Sequence, residues 1–133
     1  MIGIVVATHG EFGNSLLSTL RMILGESPAL VSAPLEAEDS METYQAKVEK
    51  ALAAVDPAGE GALVLVDMLG GTPFNVALAL ATRRKVGVLT GVNLPMLIKA
   101  LSHREEDLEK LCSEVRDAAR DGIVTSVELL KGR

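Results

Sequence analysis

A histidine and an aspartate occupy corresponding places in two similar stretches of this chain. His9 ends an apolar, β-branched run in MIGIVVATHG, and Asp67 ends a second such run in ALVLVDMLGGTPFN. Each run is short and stops at a turn signal, which is typical of a buried strand of a parallel sheet. Because ligands gather at the carboxyl ends of parallel strands, we expect His9 and Asp67 to meet at one edge of the sheet.

An imidazole beside a carboxylate has a definite chemical use. A neutral imidazole has one nucleophilic nitrogen when the other nitrogen holds the proton, and a carboxylate on that N–H fixes this tautomer. Backbone N–H groups after His9 and at the start of the helix that follows Asp67 suit an oxyanion such as phosphate. These groups belong to Gly10, Gly70, Gly71 and Thr72. Taken alone, either His9 or Asp67 is equally compatible with a structural cap; together they predict a phosphohistidine carrier.

Other site chemistries find little support in the motifs. The chain has no GxxxxGK[ST] loop, no complete GxGxxG and no GxSxG elbow, which disfavours nucleotide binding and serine hydrolysis. Its two histidines, His9 and His103, lack metal-ligand spacing, so we expect no metal and no cofactor. The formal net charge of −5 disfavours a nucleic-acid binder.

Strand and helix patterns alternate along the chain and predict how the site is positioned. Apolar runs predict strands over residues 1–10, 29–35, 61–67 and 86–90. Helical spacing covers residues 13–24, 39–55, 72–83 and 105–120, with a shorter helix after Pro95. Asn14 or Ser15 is expected to cap the first helix, and Thr72 followed by Pro73 the third. We therefore predict one α/β domain over residues 1–133, an open and mostly parallel sheet with helices on both faces.

The last residues differ in pattern from the rest. Residues 123–130 alternate in a way that predicts an antiparallel edge strand at the C-terminus.

A lone cysteine, Cys112, excludes an intrachain disulfide and favours a reducing cytoplasm. No apolar run approaches the ~20 residues of a membrane span, and no charged leader precedes the first strand, so we expect neither a span nor a signal peptide.

Three segments carry a family resemblance: IVVATHGEFGNSLL, VDMLGGTPFNVAL and GVNLPMLIKAL. They resemble the IIA component of the mannose family of the bacterial phosphoenolpyruvate:sugar phosphotransferase system. The resemblance implies four parallel strands with one antiparallel edge strand, and a phosphate carried transiently on His9. Asp67 matches the family's aspartate that hydrogen-bonds the active histidine, and Thr72 matches a Ser or Thr beside the phosphate. Leu69 departs from the tryptophan that is frequent there.

The resemblance also implies partners. Phosphate would come from the histidine-containing phosphocarrier protein and pass to a IIB component, then to sugar that enters through a membrane permease. Proteins similar to this one dimerise, so we expect a homodimer with residues 123–130 at its interface. Two other functions stay open: a regulatory protein that takes phosphate on His9 and signals nutrient state, and a non-catalytic module that binds a small anion.

Overall fold

The computed structural model describes residues 1–132. Its strands are β1 (Gly3–His9), β2 (Leu30–Leu35), β3 (Ala62–Val66) and β4 (Val86–Leu89). Its helices are α1 (Phe12–Leu24), α2 (Met41–Val55), α3 (Thr72–Ala81), α4 (Leu94–Ser102), α5 (Leu108–Asp121) and α6 (Ser126–Lys131). The strands form one sheet in the order β2-β1-β3-β4, and all three neighbouring pairs are parallel. The prediction of an α/β fold with four parallel strands is confirmed.

The two central strands are buried on both faces of the sheet. One face packs against α1, α4 and α5, through a core that includes Leu20, Leu97 and Leu111. The other face packs against α2 and α3, through a core that includes Tyr44 and Leu80. Burial on both sides explains why β1 and β3 appear in the sequence as continuous apolar runs rather than alternating ones. Within residues 1–132 no helix has the length and apolar character that a membrane span requires.

The chain leaves β1 and β3 in opposite directions. From β1 it continues through α1 to β2, and from β3 it continues through α3 to β4 on the other side of the sheet. Helices α1 and α3 also pack on opposite faces. The carboxyl ends of β1 and β3 therefore form a topological switch point, where α/β sheets of this kind open a crevice for ligands.

The predicted edge strand over residues 123–130 is wrong for the part of the chain that the structure describes. Residues 126–131 form α6 instead, and no fifth strand pairs with the sheet within residues 1–132. The Thr125 hydroxyl accepts the Glu128 N–H at 3.1 Å, and the Glu128 carboxylate accepts the Thr125 N–H at 3.3 Å. This capping box defines a helix start and outweighs the alternating pattern. It leaves several large apolar side chains exposed: Ile123, Val124, Val127, Leu129 and Leu130.

A buried arginine ties together the amino ends of two strands. Arg104 is only 6% exposed, and its guanidinium donates to the carbonyls of Ile2 at 2.8 Å, Pro28 at 2.6 Å and Ala29 at 2.6 Å. Burial lowers the pKa of Arg104. Three charge-assisted hydrogen bonds to backbone oxygens compensate for this burial and hold β1 against the segment that leads into β2.

Candidate functional site

The structure brings His9 and Asp67 into direct contact. His9 is the last residue of β1 and Asp67 follows β3, and the parallel pairing sets Ala7 opposite Val66. The Nδ1 atom of His9 lies 2.8 Å from Oδ2 of Asp67, and the backbone N–H of His9 donates to the same oxygen at 3.1 Å. The other oxygen, Oδ1, accepts the N–H of Met68 at 3.1 Å. The carboxylate is thus held on both of its oxygens.

Asp67 determines which ring nitrogen of His9 carries the proton. Burial opposes ionisation of Asp67, but hydrogen bonds from the backbone N–H and ring of His9 outweigh it, so the pKa of Asp67 lies below its ordinary value. Asp67 is therefore a carboxylate at neutral pH and can only accept a hydrogen bond. Since it contacts Nδ1, the proton of a neutral His9 ring resides on Nδ1. The lone pair is left on Nε2.

The His9 side chain is about half exposed to solvent. The side chain of His9 is 48% exposed, whereas that of Asp67 is 14% exposed. None of the five cavities described for residues 1–132 is lined by either residue. Three exposed apolar side chains lie in the adjoining loops and first helical turn: Phe12, Met68 and Leu69. The site is an open surface with an apolar surround rather than an enclosed pocket.

The amino end of α3 lies against the His9 ring. A Cβ atom built on Gly71 would lie 2.8 Å from Cε1 and 3.3 Å from Nε2 of His9. The prediction that Thr72 caps this helix is wrong: Gly71 is the N-cap, Thr72 is the first helical residue, and no side chain caps the helix. The first bond inside the helix runs from the Asn75 N–H to the Gly71 carbonyl, so the N–H groups of the first turn have no partner within the helix.

Gly10 contributes a turn rather than a donor for an anion. Its φ is +53°, and its N–H donates to the Leu35 carbonyl at 2.8 Å. That N–H is engaged inside the fold, so the expectation that Gly10 binds phosphate through it is wrong. Gly70 also has a left-handed backbone, with φ of +88°, and turns the loop into α3. Among described residues, the Thr72 hydroxyl makes no hydrogen bond.

Two polar groups near the site were not predicted from the sequence. Thr8 is fully buried, and its hydroxyl accepts the Gly13 N–H at 2.8 Å. This bond satisfies a first-turn donor of α1, whose N-cap is Glu11 with no side-chain cap, so neither Asn14 nor Ser15 caps the helix. A polar residue directly before His9 in an apolar strand was the available signal for Thr8.

The second group is a chain of side-chain hydrogen bonds that starts on β2. The Ser32 hydroxyl donates to Asn14 Oδ1, and Asn14 Nδ2 donates to both carboxylate oxygens of Glu11 at 3.2 Å. Glu11 is therefore held two residues after His9. The loops at this edge of the sheet, residues 9–12, 36–40, 67–71 and 90–93, contain several carboxylates and no Lys or Arg. Lys47 on α2 pairs with Glu36 and Asp39, and the remaining carboxylates leave this edge of the sheet with an excess of negative charge.

Comparisons with known proteins identify the family of the chain. The family model described as "PTS system fructose IIA component", where PTS is the phosphotransferase system, matches residues 3–117. The chain belongs to this family, the mannose-type IIA components. Members act as phosphotransferase components, and the family implies phosphoryl transfer in sugar uptake.

Individual IIA relatives support the same assignment. The chain is 37% identical over 106 residues to the PTS system fructose-specific EIIA component of Bacillus subtilis (strain 168), covering 79% of this chain and 72% of that protein. It is 34% identical over 125 residues to the PTS system mannose-specific EIIAB component of Escherichia coli (strain K12), covering 92% of this chain and 38% of that longer protein. The crystal structure of phosphotransferase system component EIIA from Streptococcus agalactiae superposes with a TM-score of 0.86 at 34% identity, covering 94% and 97% of the two chains.

Proposed function

We propose that this chain is a phosphoryl carrier of the phosphoenolpyruvate-dependent sugar phosphotransferase system. It accepts a phosphoryl group on Nε2 of His9 from the histidine-containing phosphocarrier protein and passes it to a IIB component. One observation carries the proposal: the 2.8 Å contact between Nδ1 of His9 and Asp67 leaves the lone pair on Nε2 of a side chain that is 48% exposed. Family membership supports the same chemistry.

The proposed step is an in-line transfer between two imidazoles. The Nε2 lone pair attacks phosphorus as the N–P bond of the donor breaks, and that electron pair returns to the donor's ring. His9 keeps its Nδ1 proton and becomes positively charged, and Asp67 stabilises this charge. Positioning and electrostatics supply most of the catalysis in such a step. Thr72 and the backbone N–H groups of Gly70 and Gly71 hold the transferred group at the positive end of α3.

The open site suits protein partners. A 48% exposed histidine flanked by exposed Phe12, Met68 and Leu69 fits a docked protein surface better than an enclosed small molecule. This argues against a module that only binds a small anion. The carboxylates around His9 favour partners with a basic docking face, because opposite charges speed their encounter. The proposal includes a cytoplasmic location for this transfer.

We also propose a homodimer in which the C-terminal segment of one copy covers the sheet edge of the other. Residues 123–130 leave large apolar side chains exposed. Two cavities of about 440 and 480 Å³ lie between β4, an edge strand, and α5. Ile123, the first residue of the segment, lines the cavity of about 440 Å³. If this segment inserts into the equivalent cavities of a second copy, the exposed apolar side chains are buried and the open edge beside β4 is covered.

Reconstituted phosphorylation tests the carrier function. The chain is incubated with phosphoenolpyruvate and the two general phosphotransferase proteins, and its intact mass is measured. We expect one added phosphate that is lost in mild acid, absent from His9→Ala and retained by His103→Ala. Phosphate that persists on His9→Ala contradicts the assignment. Transfer onward to an added IIB component separates a transport carrier from a regulatory protein, which would hold its phosphate.

A further inference from the structure

We propose that Gly71 is a positioning residue for His9. The absence of a side chain at this position lets the imidazole lie against the start of α3 while its Nδ1 stays bound to Asp67. The inference rests on the proposed function, since it explains how Nε2 is presented to an incoming phosphoryl group. It assigns to Gly71 a role distinct from holding phosphate through its N–H.

The backbone does not require glycine at this position. Gly71 has φ of −83° and ψ of 175°, an extended conformation that any residue adopts. Its neighbour Gly70 differs, with φ of +88° and open space around the Cβ position. The backbone conformation therefore explains why position 70 is a glycine. It does not explain why position 71 is one.

Helix stability also favours a different residue there. Gly71 is the N-cap of α3, a position where Ser, Asp or Asn supplies an acceptor for a first-turn N–H. Four other helices have such caps, formed by Ser40, Asn93, Asp107 and Thr125. Helix α3 lacks the stabilisation of a side-chain cap at its N-cap, Gly71, which lies against the ring of His9.

The space beside the ring explains why residue 71 has no side chain. A Cβ on Gly71 would lie 2.8 Å from Cε1 of His9, well inside the ~3.5 Å or more at which carbon atoms make contact. The ring is fixed on its other side by the 2.8 Å bond between Nδ1 and Asp67. If the ring turns away from a new Cβ, its Nδ1 moves relative to Asp67. A side chain at Gly71 would therefore release the tautomer that Asp67 imposes.

Nuclear magnetic resonance of the His9 ring nitrogens tests this directly. In the wild-type chain we expect the proton on Nδ1. In Gly71→Ala we expect a mixture of both tautomers. The rate of phosphoryl acceptance from the phosphocarrier should fall roughly 10²-fold, the cost of displacing a reacting group by about 1 Å. Thr72→Ala, which adds no atom toward the ring, is the control for the tautomer measurement. A wild-type tautomer and rate in Gly71→Ala would overturn the proposal.

A second measurement needs no phosphate. Gly71→Ala should lower the midpoint of thermal unfolding in the wild-type background, and this loss should disappear in a His9→Ala background, which lacks the ring. An equal loss in both backgrounds contradicts the proposal, because it traces the cost to some other contact. If His9 proves not to be phosphorylated, the proposed function fails, while the tautomer and the thermal cycle still decide the positioning role of Gly71.

Discussion

Oδ2 of Asp67 accepts two hydrogen bonds from His9, one from Nδ1 at 2.8 Å and one from the backbone N–H at 3.1 Å. A single carboxylate oxygen therefore holds both the backbone and the ring of the same residue. Between these two anchors lie only the side-chain torsions of His9, so the direction of Nε2 is set by Asp67. This relationship gives the first two predictions.

Replacing Asp67 with alanine should slow phosphoryl transfer and leave the fold intact. In the proposed mechanism the carboxylate fixes the reactive tautomer and stabilises the charge on the ring, effects commonly worth roughly 10² to 10⁴-fold in rate. Rapid-quench transfer from the phosphorylated phosphocarrier measures the change. Asp56→Ala is the matched control, since Asp56 also accepts backbone N–H groups but near the amino ends of the strands. A wild-type rate in Asp67→Ala would mean that Asp67 is only a cap.

The contribution of Asp67 to stability should depend on pH. Its pKa is lower in the folded chain than the ~3.9 of an unfolded aspartate. The stabilisation is therefore present above pH ~4 and is lost as pH falls through the folded pKa. Urea unfolding of the wild type and Asp67→Asn at several pH values checks this. We expect the difference in unfolding free energy to narrow toward acid; a constant difference contradicts the prediction.

Thr8→Val should destabilise the chain by about 1 to 2 kcal/mol, because it removes the acceptor for a first-turn N–H of α1. Valine keeps the shape of the buried side chain, so packing changes little. Thr125→Val removes a similar cap from α6, which has no buried residue, and should leave global stability unchanged. Urea unfolding of both variants compares them. Equal effects would show that burial of the cap at Thr8 is irrelevant.

Arg104→Met should cost about 3 kcal/mol or more, because three backbone carbonyls lose a charged donor within a largely buried site. The control is Arg84→Met, which breaks an exposed ion pair with Glu49 at 2.9 Å and should cost at most about 1 kcal/mol. Chemical unfolding of the two variants gives both values. A small loss in Arg104→Met would mean that water replaces the guanidinium.

The full chain should sediment as a dimer at micromolar concentration, and a chain ending at Gly122 should sediment as a monomer. Leu130→Asp is expected to weaken the dimer, because it places a charge among the exposed apolar side chains of the C-terminal segment. Met22→Asp, at an 87% exposed position on α1, is the control and should leave the dimer intact. A monomeric full chain refutes the proposal.

The strands were predictable because burial on both faces leaves an unambiguous apolar run. Observed β3, Ala62–Val66, differs from the predicted 61–67 by one residue at each end. The proximity of His9 and Asp67 followed from the rule that parallel strands end at a common edge. Residues 123–130 were mispredicted because little packing constrains them, so a local capping box determined their structure.

Other features depend on contacts between distant parts of the chain. The pattern Thr72-Pro73 is typical of a cap followed by the first helical residue, but the helix starts one residue earlier. Gly71 is the boundary because its backbone is extended, and the nearness of its Cβ position to the ring of His9 is not visible in any local pattern. The same holds for the N–H of Gly10, whose acceptor lies at the end of a different strand.

The pairing of β1 with β3 makes the reactivity of His9 depend on completed folding. Fifty-eight positions separate His9 from Asp67, and only the assembled sheet brings them together. Before the central strands pair, the imidazole is an ordinary histidine with its proton on either nitrogen. Under the proposed function, we expect newly synthesised or partly unfolded copies to accept phosphoryl groups poorly, because the contact that directs Nε2 forms only in the folded sheet.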